Sequence, residues 1–425
     1  MKSKIYSRSL DDQAKIFTLA SNKKYSSIFR FTVKLKEEVN REILQKAVEL
    51  ALEKYNVYKV KIKNGLFWHY LVENEMDPII LKETENPFKK VNVKENNKYL
   101  FRVTYIESRI NLEVFHALTD GSGAIIFLKE ILYRYLELKY PNELESVKVN
   151  KEDIVADSEN AYIKNYEKKM KKTFKDKKAY QLQGEEVTDG VIQLKHYHMN
   201  LTEVKNQTKQ MDCSLSMYII AMIVYALYEG NYKTSEDSNP INLCVPVSLQ
   251  KYFETNTMSN FVSHITVTLD LIKNSEYTFE KILDIVKEQF EIKLSKEKMV
   301  ETISTESAMT HHPIINYIPL PLKKIAISLG SLKLKRNITM TISNLGKFDI
   351  DEKYSNYIDN ILVILSPDWA EKMKCGICSY KDNLIVSFGT TLNNNQIEKE
   401  FIKILEKNNI RFKFETTNIN NSRNS

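Results

Sequence analysis

Residues 116–121 read His-Ala-Leu-Thr-Asp-Gly. Histidine is the side chain best suited to take a proton near neutral pH, so His116 is a candidate general base. An aspartate four residues on, across a tight turn, can return towards the imidazole or anchor the loop through a basic partner. Gly121 permits a backbone conformation closed to other residues and lets the loop pack closely. A structural alternative stands beside this reading: Asp120 or Ser122 caps a helix, and His116 is a satisfied edge residue.

No competing catalytic set stands out. G-x-S-x-G, Walker and G-x-G-x-x-G signatures are absent from the sequence. Cys375 and Cys378 form one C-x-x-C, without the second pair that structural zinc needs. The following Ser379–Asn383 stretch reads as a turn between strands, not the helix of a redox motif, so no metal site is expected. His311-His312 reads as loop surface, His196 and His198 as a chance pair on one strand face, and His264 as core or channel lining.

The elements that must hold His116 are legible. Phe29, Phe31, Val33 and Leu35 alternate with polar residues as in a half-buried strand. Asn40 caps a helix carrying Ile43, Leu44, Ala47, Val48, Ala51 and Leu52 on one stripe. A strand over Tyr58–Ile62 turns at Asn64-Gly65 into a return strand over Leu66–Val72. Strands at Phe101–Tyr105 and Ile110–Val114 follow, and the second runs into His116. An apolar helix then extends from Ala124 to Tyr140 and stops before Pro141. Residues 142–190 read as a charged, partly helical connector, with the basic run Lys164–Lys178 a solvated face.

The second half alternates likewise. Strands are expected at Val191–Met199, Ile241–Val247, Phe261–Leu269, Ile338–Ser343, Ile361–Leu365 and Leu384–Phe388. Helices are expected from Thr202, over Leu215–Tyr228, around Phe279–Phe290 and from Gln396. Mixed strands and helices in both halves predict an α+β protein.

Composition agrees. A chain of 425 residues, 43% hydrophobic and with 10 Gly and 9 Pro, is a packed globular protein. Its net charge of +7 is dispersed, so nucleic-acid binding is not expected. Four cysteines without framework spacing suit a reducing compartment. The longest apolar run, Leu215–Tyr228, is shorter than the roughly 20 residues that span a bilayer. A cytoplasmic protein without a transmembrane segment is the expectation.

The string His116-Ala-Leu-Thr-Asp120-Gly121 resembles the H-x-x-x-D-G signature of the chloramphenicol acetyltransferase and condensation-domain superfamily. The resemblance is greatest to its bacterial alcohol acetyltransferase-like members. Phe101–Tyr105 with Leu112–His116 resembles the run-up to that signature. Cys244-Val-Pro-Val-Ser-Leu249 with Asn260-Phe261 resembles the "VPV…NF" segment, and Ile342-Ser-Asn-Leu-Gly346 the "SNLG" segment. Together they extend the likeness from about Ile16 to Lys407. Two departures are Phe115, where condensation domains carry a first histidine, and Gln250, where relatives often carry an arginine.

The resemblance implies a two-domain chloramphenicol-acetyltransferase-like fold, with mixed sheets covered by helices and an active-site tunnel between the halves. The halves would be residues 1–175, with the His116 loop, and 176–425. It implies acyl transfer, of an acetyl group for example, from acyl-CoA to a hydroxyl acceptor, with His116 as base and no acyl-enzyme. Asp120 and Gly121 would hold the loop, Ser343 or Asn344 would donate to the oxyanion, and Asn260 would line the substrate site. No cofactor would be tightly bound; acyl-CoA or an acyl-carrier thioester would be co-substrate. The acceptor would be a small-molecule alcohol or amine. Alternatives are ester or amide synthesis from a carrier protein, and a non-catalytic binding relative.

Overall fold

The computed structural model describes the chain except residues 1–6, 22–26, 84–87, 89–94, 145–157, 169–177, 188–190, 271, 273–274, 369, 394 and 421–425. In chain order, β1 (Ser7–Ser9) and α1 (Asp12–Ala20) precede β2 (Ile28–Leu35), α2 (Arg41–Lys54), β3 (Val60–Asn64) and β4 (His69–Glu73). β5 (Leu81–Lys82), β6 (Phe101–Ile106), β7 (Arg109–Phe115) and α3 (Gly121–Lys139) complete the first half. α4 (Ala161–Asn165) lies in the connector. The second half opens with β8 (Val191–Asn200), α5 (Leu201–Gln210), α6 (Leu215–Leu227), β9 (Ile241–Ser248) and β10 (Val262–Leu269). Four helices follow: α7 (Phe279–Lys293), α8 (Lys296–Glu306), α9 (Pro313–Tyr317) and α10 (Leu320–Lys335). The chain closes with β11 (Met340–Lys347), α11 (Glu352–Ser355), β12 (Ile358–Leu365), β13 (Met373–Tyr380), β14 (Asn383–Thr390), α12 (Gln396–Lys407) and β15 (Phe412–Asn420).

The alternating strands predicted around His116 form a five-stranded sheet of order β12-β2-β7-β6-β5. Its inner face carries Phe29, Phe31, Val33, Leu112 and Val114, which pack with Leu44, Val48 and Leu52 of α2 and with Phe127, Leu128 and Ile131 of α3. Each such side chain contributes about 1.5–3 kcal/mol when fully buried. Asn40 caps α2 by accepting from the Ile43 amide at 3.0 Å.

The second half builds a mixed seven-stranded sheet, order β10-β9-β11-β13-β14-β8-β15. The long apolar run becomes α6, buried all round because it lies in the core beneath this sheet. Among the described residues no single helix is long and apolar enough to cross a membrane.

β12 joins the halves. It pairs with β2, Ile361 opposite Val33, and so completes the first half's sheet with residues from the second. It also lies across the seven-stranded sheet. A Cβ on Gly376 would sit 2.2 Å from the Val363 carbonyl oxygen, and one on Gly389 2.7 Å from that of Leu365. Only glycine lets the two sheets approach this closely.

Several expectations change. The hairpin expected to turn at Asn64-Gly65 closes instead over Gly65–Trp68, with the Gly65 amide donating to the Trp68 carbonyl at 3.0 Å. α3 begins three residues earlier than periodicity suggested, because Asp120 caps it. His311 is not plain loop surface: Nε2 lies 2.8 Å from Asp12 Oδ2 and the ring stacks on Tyr166. His196 is buried with Nδ1 2.9 Å from Ser387 Oγ, and His264 pairs with Glu306 at 2.8 Å with its side chain 45% exposed. Cys375 and Cys378 lie in β13 and belong to different hydrophobic clusters, one in each half. Of the basic run, residues 169–177 lie outside the described residues.

Candidate active site

β7 ends at Phe115, and residues 116–119 turn tightly before α3. The His116 amide donates to the Ser27 carbonyl at 3.0 Å and that of Leu118 to the Phe115 carbonyl at 2.8 Å. The imidazole lies between two aromatic rings, stacked on Phe17 of α1 at 4.7 Å and tilted against Phe29 of β2 at 4.5 Å. Its Nδ1 is enclosed without a hydrogen-bond partner among the described residues.

This enclosure pushes the His116 pKa down to about 4. The main cause is removal of the charged form from water; Asn260 beside the ring opposes the shift and the Lys374 ammonium adds to it. The imidazole is therefore neutral at pH 7 and able to accept a proton.

Asn260 is fully buried and links the halves. Its Nδ2 donates to the His116 carbonyl at 2.8 Å and to Asp11 Oδ2 at 3.0 Å, and its backbone amide donates to the same Oδ2 at 3.2 Å. Asp11 in turn caps α1 by accepting from the Ala14 amide at 2.7 Å. One carboxylate thus fixes the helix that carries Phe17 and the asparagine that holds the histidine's backbone. Burial raises the Asp11 pKa to about 6 against the pull of these hydrogen bonds.

Among the described residues Asp120 has neither an imidazole nor a basic partner. Oδ1 accepts from the amides of Ser122 at 2.9 Å and Gly123 at 3.1 Å, and Oδ2 from that of Phe261 at 2.9 Å. It caps α3 and clamps the Asn260-Phe261 segment to the histidine loop. Gln250, the position singled out in the sequence as a departure from the arginine of the resembled family, donates to the Thr257 carbonyl. The reason for glycine at 121 also changes. Its φ is not left-handed; a Cβ there would meet Leu345 Cδ2 at 2.8 Å. Gly123 is tighter still, its Cβ position 2.1 Å from Thr119 Oγ1.

Leu345 brings in β11. Register places Ser343 opposite Gly376, on the face of the seven-stranded sheet that β12 and the first half cover. Asn344 alternates to the helix side, where Nδ2 donates to Ser216 Oγ on α6 at 2.9 Å and Oδ1 accepts from the Gly346 amide. β9, beside β11, presents Cys244 opposite Thr341. The Cys244 thiol is pushed up to about 12, chiefly by burial, so at neutral pH it is not a thiolate. Beside Thr341 in the register, Lys374 pairs with Asp368 at 3.0 Å and Glu371 at 3.4 Å.

The three segments that carried the resemblance therefore converge. Asp11, Phe17 and Lys374 went unseen in the sequence and Phe29 was read only as a strand residue; of the first three only Asp11, ahead of a short helical stretch, had a local signal, that of an N-cap. A cavity of about 680 Å³ also opens between the two large sheets, lined by Lys34, Arg109, His198 and Lys413 among others. Arg109 starts the strand that His116 follows, so this cavity lies at the opposite end of β7 from the histidine.

No family model and no curated protein matches the chain. Solved structures do. TRI101 of F. graminearum, complexed with coenzyme A and deoxynivalenol, superposes with a TM-score of 0.65 at 10% identity, over 96% of this chain and 99% of that one. The first condensation domain of the calcium-dependent antibiotic synthetase, bound to a substrate analogue, gives 0.62 at 11% identity, over 95% and 96%. Polyketide synthase associated protein 5 of Mycobacterium tuberculosis gives 0.58 at 11% identity, over 94% and 96%. With mixed sheets, covering helices and near-complete coverage by these structures, the chain has the two-domain α+β chloramphenicol-acetyltransferase-like fold, the fold of condensation domains.

Proposed function

We propose that this protein is an acyltransferase that moves an acyl group from acyl-CoA to a hydroxyl acceptor, with His116 as general base. The observation that carries the reading is the neutral imidazole, held where the two halves meet by Asn260 of one and by Phe29 of the other. It takes the acceptor's hydroxyl proton as the oxygen attacks the thioester carbonyl. The tetrahedral oxyanion collapses, the C–S bond breaks, and the leaving thiolate takes the proton back from the imidazolium as free CoA. The Ser343 hydroxyl is the oxyanion donor favoured here, since it faces the first half while Asn344 is engaged with Ser216. One such donor is worth roughly 10²–10³ in kcat. A protonated Cys244 supports direct attack without an acyl-enzyme.

Asp120 and Gly121 build the loop and do not relay charge. TRI101 bound to coenzyme A supports CoA as donor. The condensation domains support a second reading, in which a carrier protein delivers the thioester. Mass spectrometry of products after incubation with an acyl-CoA panel and a cell extract tests the reaction and finds the acceptor. A carrier-loaded acyl group that far outperforms every acyl-CoA would transfer the assignment to the second reading. No acylated product from either donor would refute both.

A further inference from the structure

One face, built by the β3–β4 loop of the first half and by α9 and α10 of the second, carries apolar side chains that none of the described residues cover. Leu66, Ile314, Tyr317, Leu322, Ile325 and Leu329 are 59–75% exposed. They belong to one surface. The β3–β4 loop accepts from α10 at its Leu66 carbonyl, 2.9 Å from the Leu320 amide. Phe67 meets the Tyr317 ring edge-on at 6.0 Å, and Trp68 Nε1 donates to Asn316 Oδ1 at 3.2 Å. Lys323 lies 3.5 Å over the Trp68 ring and donates to the Phe67 carbonyl, locking the loop to the helix. On α10, Leu322, Ile325 and Leu329 follow at intervals of three and four and form an outward stripe. Soluble proteins rarely leave so continuous an apolar surface uncovered without a use for it.

The segments that build this surface carry charge of one sign. Residues 55–72 contain three lysines and no Asp or Glu, and residues 307–336, to the end of α10, contain five Lys or Arg and no Asp or Glu. Lys63, Lys324 and Arg336 are exposed. Apolar and aromatic side chains bordered by cations are the chemistry of a protein face that lies in an anionic bilayer interface. A second copy of this chain is a poor occupant, since a two-fold contact sets like surfaces together and would oppose one all-basic region to another.

We propose that this face docks on an anionic lipid bilayer, with the β3–β4 loop, α9 and α10 inserted at headgroup level. α10 packs against α1, and α1 carries the Phe17 ring that stacks on His116. Docking therefore sets the bilayer one helix away from the histidine.

Co-sedimentation of the full chain with phosphatidylcholine vesicles, and with vesicles about one-third phosphatidylglycerol, tests this at low and high salt. Binding at least tenfold tighter to the anionic vesicles, and weakened by salt, is expected; each cation near the surface supplies about fivefold. The double variant Leu322→Glu/Ile325→Glu changes exposed positions only. It is expected to lose at least tenfold in vesicle binding while its melting temperature and its turnover of soluble substrates stay unchanged. Equal binding to both vesicle types, undiminished binding by the variant, or a soluble dimer that the variant dissociates in the absence of vesicle binding would each overturn the proposal.

Discussion

Replacing Asn260 with alanine should damage stability and turnover together. The side chain is fully buried, and its Nδ2 supplies two hydrogen bonds, to Asp11 Oδ2 at 3.0 Å and to the His116 carbonyl at 2.8 Å. A bond to a charged partner is worth about 1.5–3 kcal/mol, and a carbonyl left unsatisfied costs about 1 kcal/mol or more. The sum, about 2.5–4 kcal/mol, is a large part of the 5–15 kcal/mol that typically separates folded from unfolded protein. The imidazole itself is untouched, but its backbone anchor is gone. A displacement of about 1 Å in a catalytic group costs roughly 100-fold. Urea unfolding followed by circular dichroism measures the first effect, and kcat/KM for thiol release from acyl-CoA, under conditions where the variant is folded, the second. Asp11→Asn offers the second leg of a double-mutant cycle, because it replaces one accepting oxygen by an NH2 donor that must face either the Ala14 amide or the two Asn260 donors. Coupling of about 1–3 kcal/mol between the two sites is expected. An Asn260→Ala protein within about 0.5 kcal/mol of wild type, with turnover reduced less than threefold, would refute the positioning argument.

Other outcomes follow from the same geometry. His116 should titrate by NMR with a midpoint about 4, well below the ordinary imidazole. Because this folded-state pKa is depressed, the contribution to stability is full above about 6.5 and is lost as pH falls through 4. Asp11 acts in the opposite sense: its pKa is raised to about 6, so its contribution is lost as pH rises from about 4 through 6, and Asp11→Ala should flatten that part of the stability profile. Asp120→Ala removes an N-cap, worth about 0.5–2 kcal/mol, and strands the Phe261 amide at about 1–3 kcal/mol more, so unfolding midpoints should fall accordingly. Gly376→Ala forces β12 away from β13 and should cost about 1–3 kcal/mol or more in the same assay, an effect that Gly330→Ala, with open space at its Cβ position, should not show.

The parts of the fold legible in the sequence were those with regular patterning. The strand over residues 29–35, the stripe on α2 and the apolar run of α6 all appear where expected, but β2 is not half-buried: Arg30 and Thr32 are covered too, Arg30 paired with Glu113 and Thr32 bonded to Asn111. α1 and α8 to α10 were not read. α1 is short, and α10 follows Pro319, contains Pro321 and turns Leu322, Ile325 and Leu329 outward, so no buried stripe marks it. The same holds for the site. His116, Asp120 and Gly121 announce themselves as one string, whereas Asp11 reaches Asn260 across 249 residues. The partners of Asp120 are backbone amides, which carry no residue-type signal at all. An arginine was the natural partner to seek, and glutamine at 250 was the one hint that the carboxylate is satisfied otherwise.

The central claim is that the His116 imidazole takes the acceptor's proton. The most direct measurement is acceptor-dependent thiol release from acyl-CoA by His116→Ala, with the variant's melting curve as control. A folded variant slowed by about 100- to 10,000-fold is the predicted result. Turnover equal to wild type in a folded His116→Ala protein would contradict the account.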